Sequence, residues 1–164
     1  MRIPYMVFAL LGSVLLADLG LTGPSLAEPV ATHFDGAGIP NGWMTRKAYV
    51  IFMVSFGIGL PLLVVALPRF FPAWFPKHTK IPNRAYWLAP ERQAETLQFL
   101  NWHMAWLGNL MVLFVIAIHH LVIIANASRP PRLPQAPLFF VIGCFLAGTT
   151  VWTVLLWYRF RRQT

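Results

Sequence analysis

The chain reads as an all-α integral membrane protein with four transmembrane helices and a proline- and aromatic-rich interfacial segment. Three observations lead there. Of its 164 residues, 57% are hydrophobic and 11% charged, whereas soluble globules carry roughly a quarter charged residues; the mean hydropathy is +0.60. The apolar residues gather into four runs, each near the length that about 1.5 Å per residue needs to cross a hydrocarbon core of roughly 30 Å. Basic and aromatic residues gather at the ends of those runs, where lipid headgroups would lie. The organisation expected is a helical pair over 1–67 with an outward loop over 22–47, an interfacial segment over 68–90, and a second helical pair over 91–164.

The first span is Pro4 to Leu21, apolar apart from Ser13 and Asp18. Arg2 before it and Ser25-Leu26-Ala27 after it imitate a secretory signal with a small-residue cleavage site, but a retained anchor is expected. Asp18 is an ionisable residue at a costly depth, so it is either a functional group or an interfacial carboxylate near the helix end.

Between the first two spans lies the most specific stretch of the chain, Thr32 to Lys47. Gly36, Gly38 and Gly42 permit positive φ, Pro40 fixes φ, and Asn41-Gly42 is a strong turn dipeptide. A shaped loop that is neither helix nor strand is expected. His33, Asp35 and Trp43 are its chemically distinctive side chains; the plainer reading has Trp43, Arg46 and Lys47 anchoring it at headgroups.

Ala48 to Leu67 is the second span, where Gly57, Gly59 and Pro61 predict a kink or local unwinding. From 68 to 90 the prolines Pro68, Pro72, Pro76, Pro82 and Pro90 argue against any long helix, while Phe70, Phe71, Trp74, Phe75, Tyr86 and Trp87 keep the segment apolar. It is expected to lie along the interface. Pro90 and Glu91 suit the first turn of a new helix, which runs to Ala125 and carries Asn101, His103, Asn109, His119 and His120. A polar connector over 126–135 follows. The last span, Leu138 to Trp157, places Gly143 and Ala147 four residues apart with Gly148 beside them, a small-residue face for helix packing.

Charge sets the orientation. Nine of the 13 Lys and Arg residues (Arg2, Arg69, Lys77, Lys80, Arg84, Arg92, Arg159, Arg161, Arg162) fall on the side of the termini, and four (Arg46, Lys47, Arg129, Arg132) on the other. Both termini are therefore expected in the cytoplasm and the loop outside. The formal charge of +8 suits lipid phosphates, and with no basic stripe on a soluble face nucleic acid is set aside. Cys144 is the sole cysteine, so no intrachain disulfide exists.

Enzyme chemistry finds no footing. The chain has no nucleotide-binding glycine fingerprint, no Gly-x-Ser-x-Gly elbow, no Cys-x-x-Cys and no His-Glu-x-x-His, and only five acidic residues. No cofactor is expected. His33, Asp35, His119 and His120 are the groups from which an outer metal site would have to be built, but consecutive helix positions diverge by about 100°, so His119 and His120 cannot both point into it.

Leu26, Val30, His33, Phe34, Gly38, Pro40, Gly42, Trp43 and Lys47 together resemble the signature of the domain of unknown function 1648, a family that includes SdpI-type bacterial immunity and signalling membrane proteins. Ala27 and Ala31 stand where that pattern has prolines. The resemblance covers roughly residues 5–65, and the chain departs from SdpI-type proteins in having only two further spans. It implies a non-enzymatic bacterial inner-membrane protein, sensing or protective, whose loop residues His33, Phe34, Asp35, Gly38, Pro40, Gly42 and Trp43 meet a ligand or partner. Two alternatives stand beside it. One is an accessory subunit of a larger respiratory or photosynthetic complex, bound to other membrane subunits or to itself; the other is a transporter or metal-handling protein using Asp18, Pro61 and the outer histidines.

Overall fold

The computed structural model describes residues 2–74 and 82–161. In chain order it comprises α1 (Ile3–Thr22), a 3-10 turn (Gly23–Ser25), a hairpin of β1 (Val30–Phe34) and β2 (Pro40–Met44), α2 (Arg46–Val54), a π-type turn (Ser55–Gly59), α3 (Leu60–Trp74), α4 (Arg84–Trp87), α5 (Pro90–Ala127) and α6 (Gln135–Arg161). Four helical stretches among the described residues are long and apolar enough to cross a membrane: Ile3–Ser25, Arg46–Phe70, Pro90–Ala127 and Gln135–Arg161. They coincide with the four expected spans.

Local chemistry sets the boundaries. Thr45 caps α2 by accepting the Ala48 N–H at 3.2 Å, while the Glu28 carboxylate accepts the Arg46 N–H at 3.1 Å, a negative charge at the positive end of a helix. At Pro61, where a kink or local unwinding of the second span is expected, the helix is preceded by the π turn. There the Leu60 N–H reaches back five residues to the Ser55 carbonyl, an adjustment that accommodates the donor Pro61 lacks. The helix also runs past its expected end to Trp74. Pro68 and Pro72, four residues apart, forfeit backbone bonds on a single helix face and leave those on the other faces intact.

The interfacial reading of 68–90 is met in part. Residues 75–81, with Phe75, Pro76, Lys77 and Lys80, lie outside the described residues. Trp87, expected at a lipid interface, is buried: its indole donates to the Phe160 carbonyl at 3.2 Å, and Thr96 donates to the Trp87 carbonyl at 2.8 Å. α4 thus fastens the start of α5 to the end of α6.

α5 is the central helix, packed against α1, α3 and α6. Leu15 and Leu19 of α1, Tyr49 and Met53 of α2, and Val112, Val115 and Val122 of α5 form one core, which Leu26 and Val30 extend beneath the hairpin. Two glycines set the closest helix approaches. A Cβ at Gly57 would lie 2.6 Å from Leu15 and 2.8 Å from Val115, and one at Gly108 would lie 2.5 Å from Val65. Of the small-residue face on α6, Gly148 meets α5, its Cβ position lying 2.9 Å from Leu110, whereas Gly143 faces open space. α6 leaves Phe139, Phe140, Val151 and Leu155 exposed.

The two ends of the bundle differ. At one, Arg69 stacks over Tyr5 with 5.6 Å to the ring centroid and Arg159 pairs with Glu95 at 2.6 Å. The hairpin lies at the other, because Gln135, which opens α6, donates to the Gly36 carbonyl. The 27 residues of α6 put about 40 Å between Trp43's end and Arg161's at 1.5 Å per residue. Arg46, Lys47, Arg129 and Arg132 belong to the hairpin end and Arg2, Arg69, Arg84, Arg92, Arg159 and Arg161 to the other, the grouping that the charge count anticipates; Lys77, Lys80 and Arg162 are outside the described residues.

Gly57→Ala is expected to overpack the α1–α5 contact, costing about 1–3 kcal/mol and lowering the thermal midpoint in detergent by several degrees. Gly143→Ala, with no neighbour to displace, should leave that midpoint unchanged.

Candidate functional site

The loop between the first two spans folds as a β-hairpin, which departs from the expected irregular loop. The turn is Asp35 to Ile39 and not Asn41-Gly42. One Asp35 carboxylate oxygen accepts the N–H groups of Ala37 and Ile39, each at 2.9 Å, and the Asp35 N–H donates to the Ile39 carbonyl at 2.9 Å. That single side chain closes the turn. Asn41 and Gly42 fall in β2, where Gly42 pairs with His33 across a bulged register. A Cβ at Gly42 would sit 2.9 Å from the His33 Cβ, so the position needs glycine.

Besides the Gln135 bond to the Gly36 carbonyl, three fastenings hold the hairpin to the rest of the chain. The Asn126 side chain at the end of α5 pairs with Ala31 in both directions: Oδ1 accepts the Ala31 N–H at 2.9 Å, and Nδ2 donates to the Ala31 carbonyl at 2.9 Å. Behind the turn, the Leu133 N–H donates to the Gly38 carbonyl at 3.0 Å. Gly38 has φ of 76°, and a Cβ there would lie 2.5 Å from the Leu133 carbonyl oxygen; glycine is required twice over. Arg46, expected at headgroups, donates to the Leu26 carbonyl at 2.7 and 3.1 Å and lies 3.8 Å from Glu28. It clasps the hairpin's stem.

The seven loop residues therefore divide. Gly38, Pro40 and Gly42 shape the backbone, Phe34 is half-buried, and Asp35 is exposed with its carboxylate engaged in the turn. His33, Ile39 and Trp43 are exposed. His33 Nδ1 donates to Asn41 Oδ1 at 2.6 Å, which orients the ring. Between turn and connector lies an open recess of about 390 Å³ lined by Ala37, Ser128, Arg132, Leu133, Pro134 and Gln135.

Beneath the hairpin, α1, α2 and α5 meet at a polar cluster. His119 is fully buried; its Nδ1 lies 2.7 Å from the Tyr49 hydroxyl and its Nε2 2.8 Å from Thr22 Oγ1. Thr22 gives its one hydroxyl proton to the Asp18 carbonyl at 2.7 Å, so Thr22 must accept from His119 Nε2–H. Nδ1 then accepts from Tyr49, and the neutral imidazole satisfies every member. His120 diverges as the helix period requires, its side chain 57% exposed, with Nδ1 at 3.1 Å from the Ile116 carbonyl and 3.4 Å from Asp18 Oδ2. Asp18 Oδ2 is buried without a hydrogen bond of its own.

No protein-family model matches the chain. No curated protein and no solved structure matches it either.

The four metal-ligand candidates are not gathered. His33 and Asp35 are committed within the hairpin and His119 to Tyr49 and Thr22; among the described residues no three His, Cys, Asp or Glu side chains form a metal-binding group. Sequence reasoning singled out Asp18, His33, Trp43 and His119 but missed Thr22, Tyr49 and Asn126. Tyr49 carried a usable signal, since a tyrosine one turn into an apolar helix needs a hydroxyl partner when buried. Asn126 carried less, because a polar residue closing a span looks like any helix end.

Tyr49→Phe removes the donor to His119 and should cost about 1–2 kcal/mol, read as a lower thermal midpoint in detergent. Gly38→Ala is expected to detach the turn from Leu133 and to open residues 35–39 to proteolysis in conditions that leave the parent chain intact.

Proposed function

We propose that the chain is a non-enzymatic multi-pass protein of a bacterial inner membrane that uses its hairpin to recognise a ligand or partner outside the cytoplasm. One observation carries this reading. The hairpin is fixed to the helices by Asn126, Leu133 and Arg46 while His33, Ile39 and Trp43 remain exposed. A rigid scaffold presenting an indole and an imidazole binds without the ordering cost a mobile loop incurs. The resemblance of Leu26 to Lys47 to the domain of unknown function 1648 supports a sensing or protective role, and the grouping of the basic residues supports cytoplasmic termini.

The exposed apolar side chains of α6 favour a second reading, an accessory subunit of a larger membrane complex. An outer helix that buries little of itself has surface to offer another subunit.

With Cys144→Ser as background, a membrane-impermeant maleimide should label Trp43→Cys in intact cells and Arg161→Cys only after lysis; the opposite pattern overturns the orientation. Trp43→Ala combined with His33→Ala should abolish the response or the partner captured by the native chain at unchanged protein level. An unaltered response removes the hairpin from recognition. Migration of the native chain within a large defined complex in mild detergent, with the hairpin variants still incorporated, would move the assignment to the second reading.

A further inference from the structure

Three acids lie toward the hairpin end of the bundle, and two are engaged. Glu28 lies 3.8 Å from Arg46, and Asp35 accepts two turn amides. Asp18, one turn before the end of α1, is the third: its Oδ2 is buried and accepts no hydrogen bond. Solvent does not reach that atom, so whatever balances its charge has to come from the chain.

Two imidazoles of α5 face it, and no Lys or Arg pairs with it among the described residues. His119 Nε2, at 3.9 Å, is bonded to Thr22, while its Nδ1 accepts from Tyr49, the titratable group that α2 contributes to the cluster. Charging His119 would strand the Tyr49 proton. His120 has no such restraint. Its Nδ1 is nearer to Asp18 Oδ2, at 3.4 Å, and its side chain is 57% exposed, so a proton can reach the ring from solvent.

We propose that Asp18 and His120 form a proton-operated clasp between α1 and α5, closed when acid in the compartment facing the hairpin charges His120. Imidazole is the side chain that ordinarily changes charge between pH 5 and 8. The imidazolium meets in the fold a carboxylate that the unfolded chain does not hold beside it, so the stability it adds is present in acid and fades as pH rises through the imidazole range. α1 leads through the turn at Gly23–Ser25 toward β1, and Thr22, four residues after Asp18, is already bonded to His119. Closing the clasp therefore draws the hairpin's stem onto α5. Use of the clasp as a signal rests on the outward placement of the hairpin, whereas the clasp itself does not.

The full chain in detergent, where both ends meet the same pH, is compared with His120→Gln by thermal midpoint at about pH 5.5 and pH 8, on either side of the ordinary imidazole range. The native chain should exceed the variant by about 2–4 °C in acid and match it at the higher pH. In an Asp18→Asn background the same substitution should produce no gap at either pH, which separates pairing with Asp18 from any other effect of His120. His120 is exposed, so its variant is expected to fold. At the acid pH, amide exchange over residues 20–30 should be slower in the native chain than in His120→Gln. A gap of equal size at both pH values, a gap larger at the higher pH, or one that survives Asp18→Asn overturns the clasp; equal exchange in the two chains overturns its reach to the hairpin stem. Maleimide labelling that reverses the orientation would remove the outer compartment as the source of acid and leave the clasp to be judged on these midpoints.

Discussion

A polar side chain inside an apolar bundle has no water to turn to, so it must find its partner within the protein. α5 meets that constraint repeatedly and with a different neighbour each time. His103 exchanges hydrogen bonds with Trp152 of α6, its ring N at 3.0 Å from the Trp152 carbonyl and the Trp152 indole donating back at 2.9 Å. Asn109 donates to the Pro4 carbonyl of α1 at 3.0 Å. His119 binds Tyr49 of α2 and Thr22 of α1, and Asn126 grips Ala31 of the hairpin. Apolar packing is non-directional and tolerates sliding, whereas each of these pairs fixes one element at one height along α5. The hairpin's position is the last consequence of that series.

The cluster under the hairpin shows how full satisfaction restricts chemistry. His119 is held neutral by geometry: Thr22 has already given its proton to Asp18's carbonyl, so it can only accept, and Tyr49 can only donate inward. A protonated His119 would leave the Tyr49 proton without an acceptor, at the cost of an unpaired buried donor. His119, one of the four metal-ligand candidates in the sequence, is therefore a structural joint. The exposed His120 and the half-satisfied Asp18 keep what chemical freedom the cluster has.

The sequence made the four spans and the place of the shaped loop legible, because apolar run length and glycine-proline punctuation are local signals. It also made the divergence of His119 and His120 legible, since the helix period alone dictates it. What it hid were partnerships across long separations, such as Ala31 with Asn126 and Tyr49 with His119, which no local pattern encodes. Turn chemistry misled in one instructive way: Asn41-Gly42 is the stronger dipeptide, yet Asp35 closes the turn because its carboxylate satisfies two amides at once. The packing glycines were likewise concealed. Gly143 and Ala147 have the favoured spacing, but Gly57 and Gly108 have neighbours at their Cβ positions, and only the fold says where helices approach.

Rigidity at one end and an unpaired buried acceptor at the other make opposite demands on the same bundle. At the hairpin end Asn126, Leu133, Gln135 and Arg46 tie the hairpin to the rest of the chain, so its backbone is held before any partner arrives; what is offered outward is the exposed His33 and Trp43 side chains. At the other end Arg69 is exposed and lies over the Tyr5 ring, while Asn101 Oδ1 is buried without a hydrogen bond. Buried polar capacity left open is costly unless something fills it, whereas exposed capacity on a rigid platform costs nothing until a partner arrives. The exposed His33 and Trp43 on a held hairpin are therefore free to meet a partner without reordering the fold.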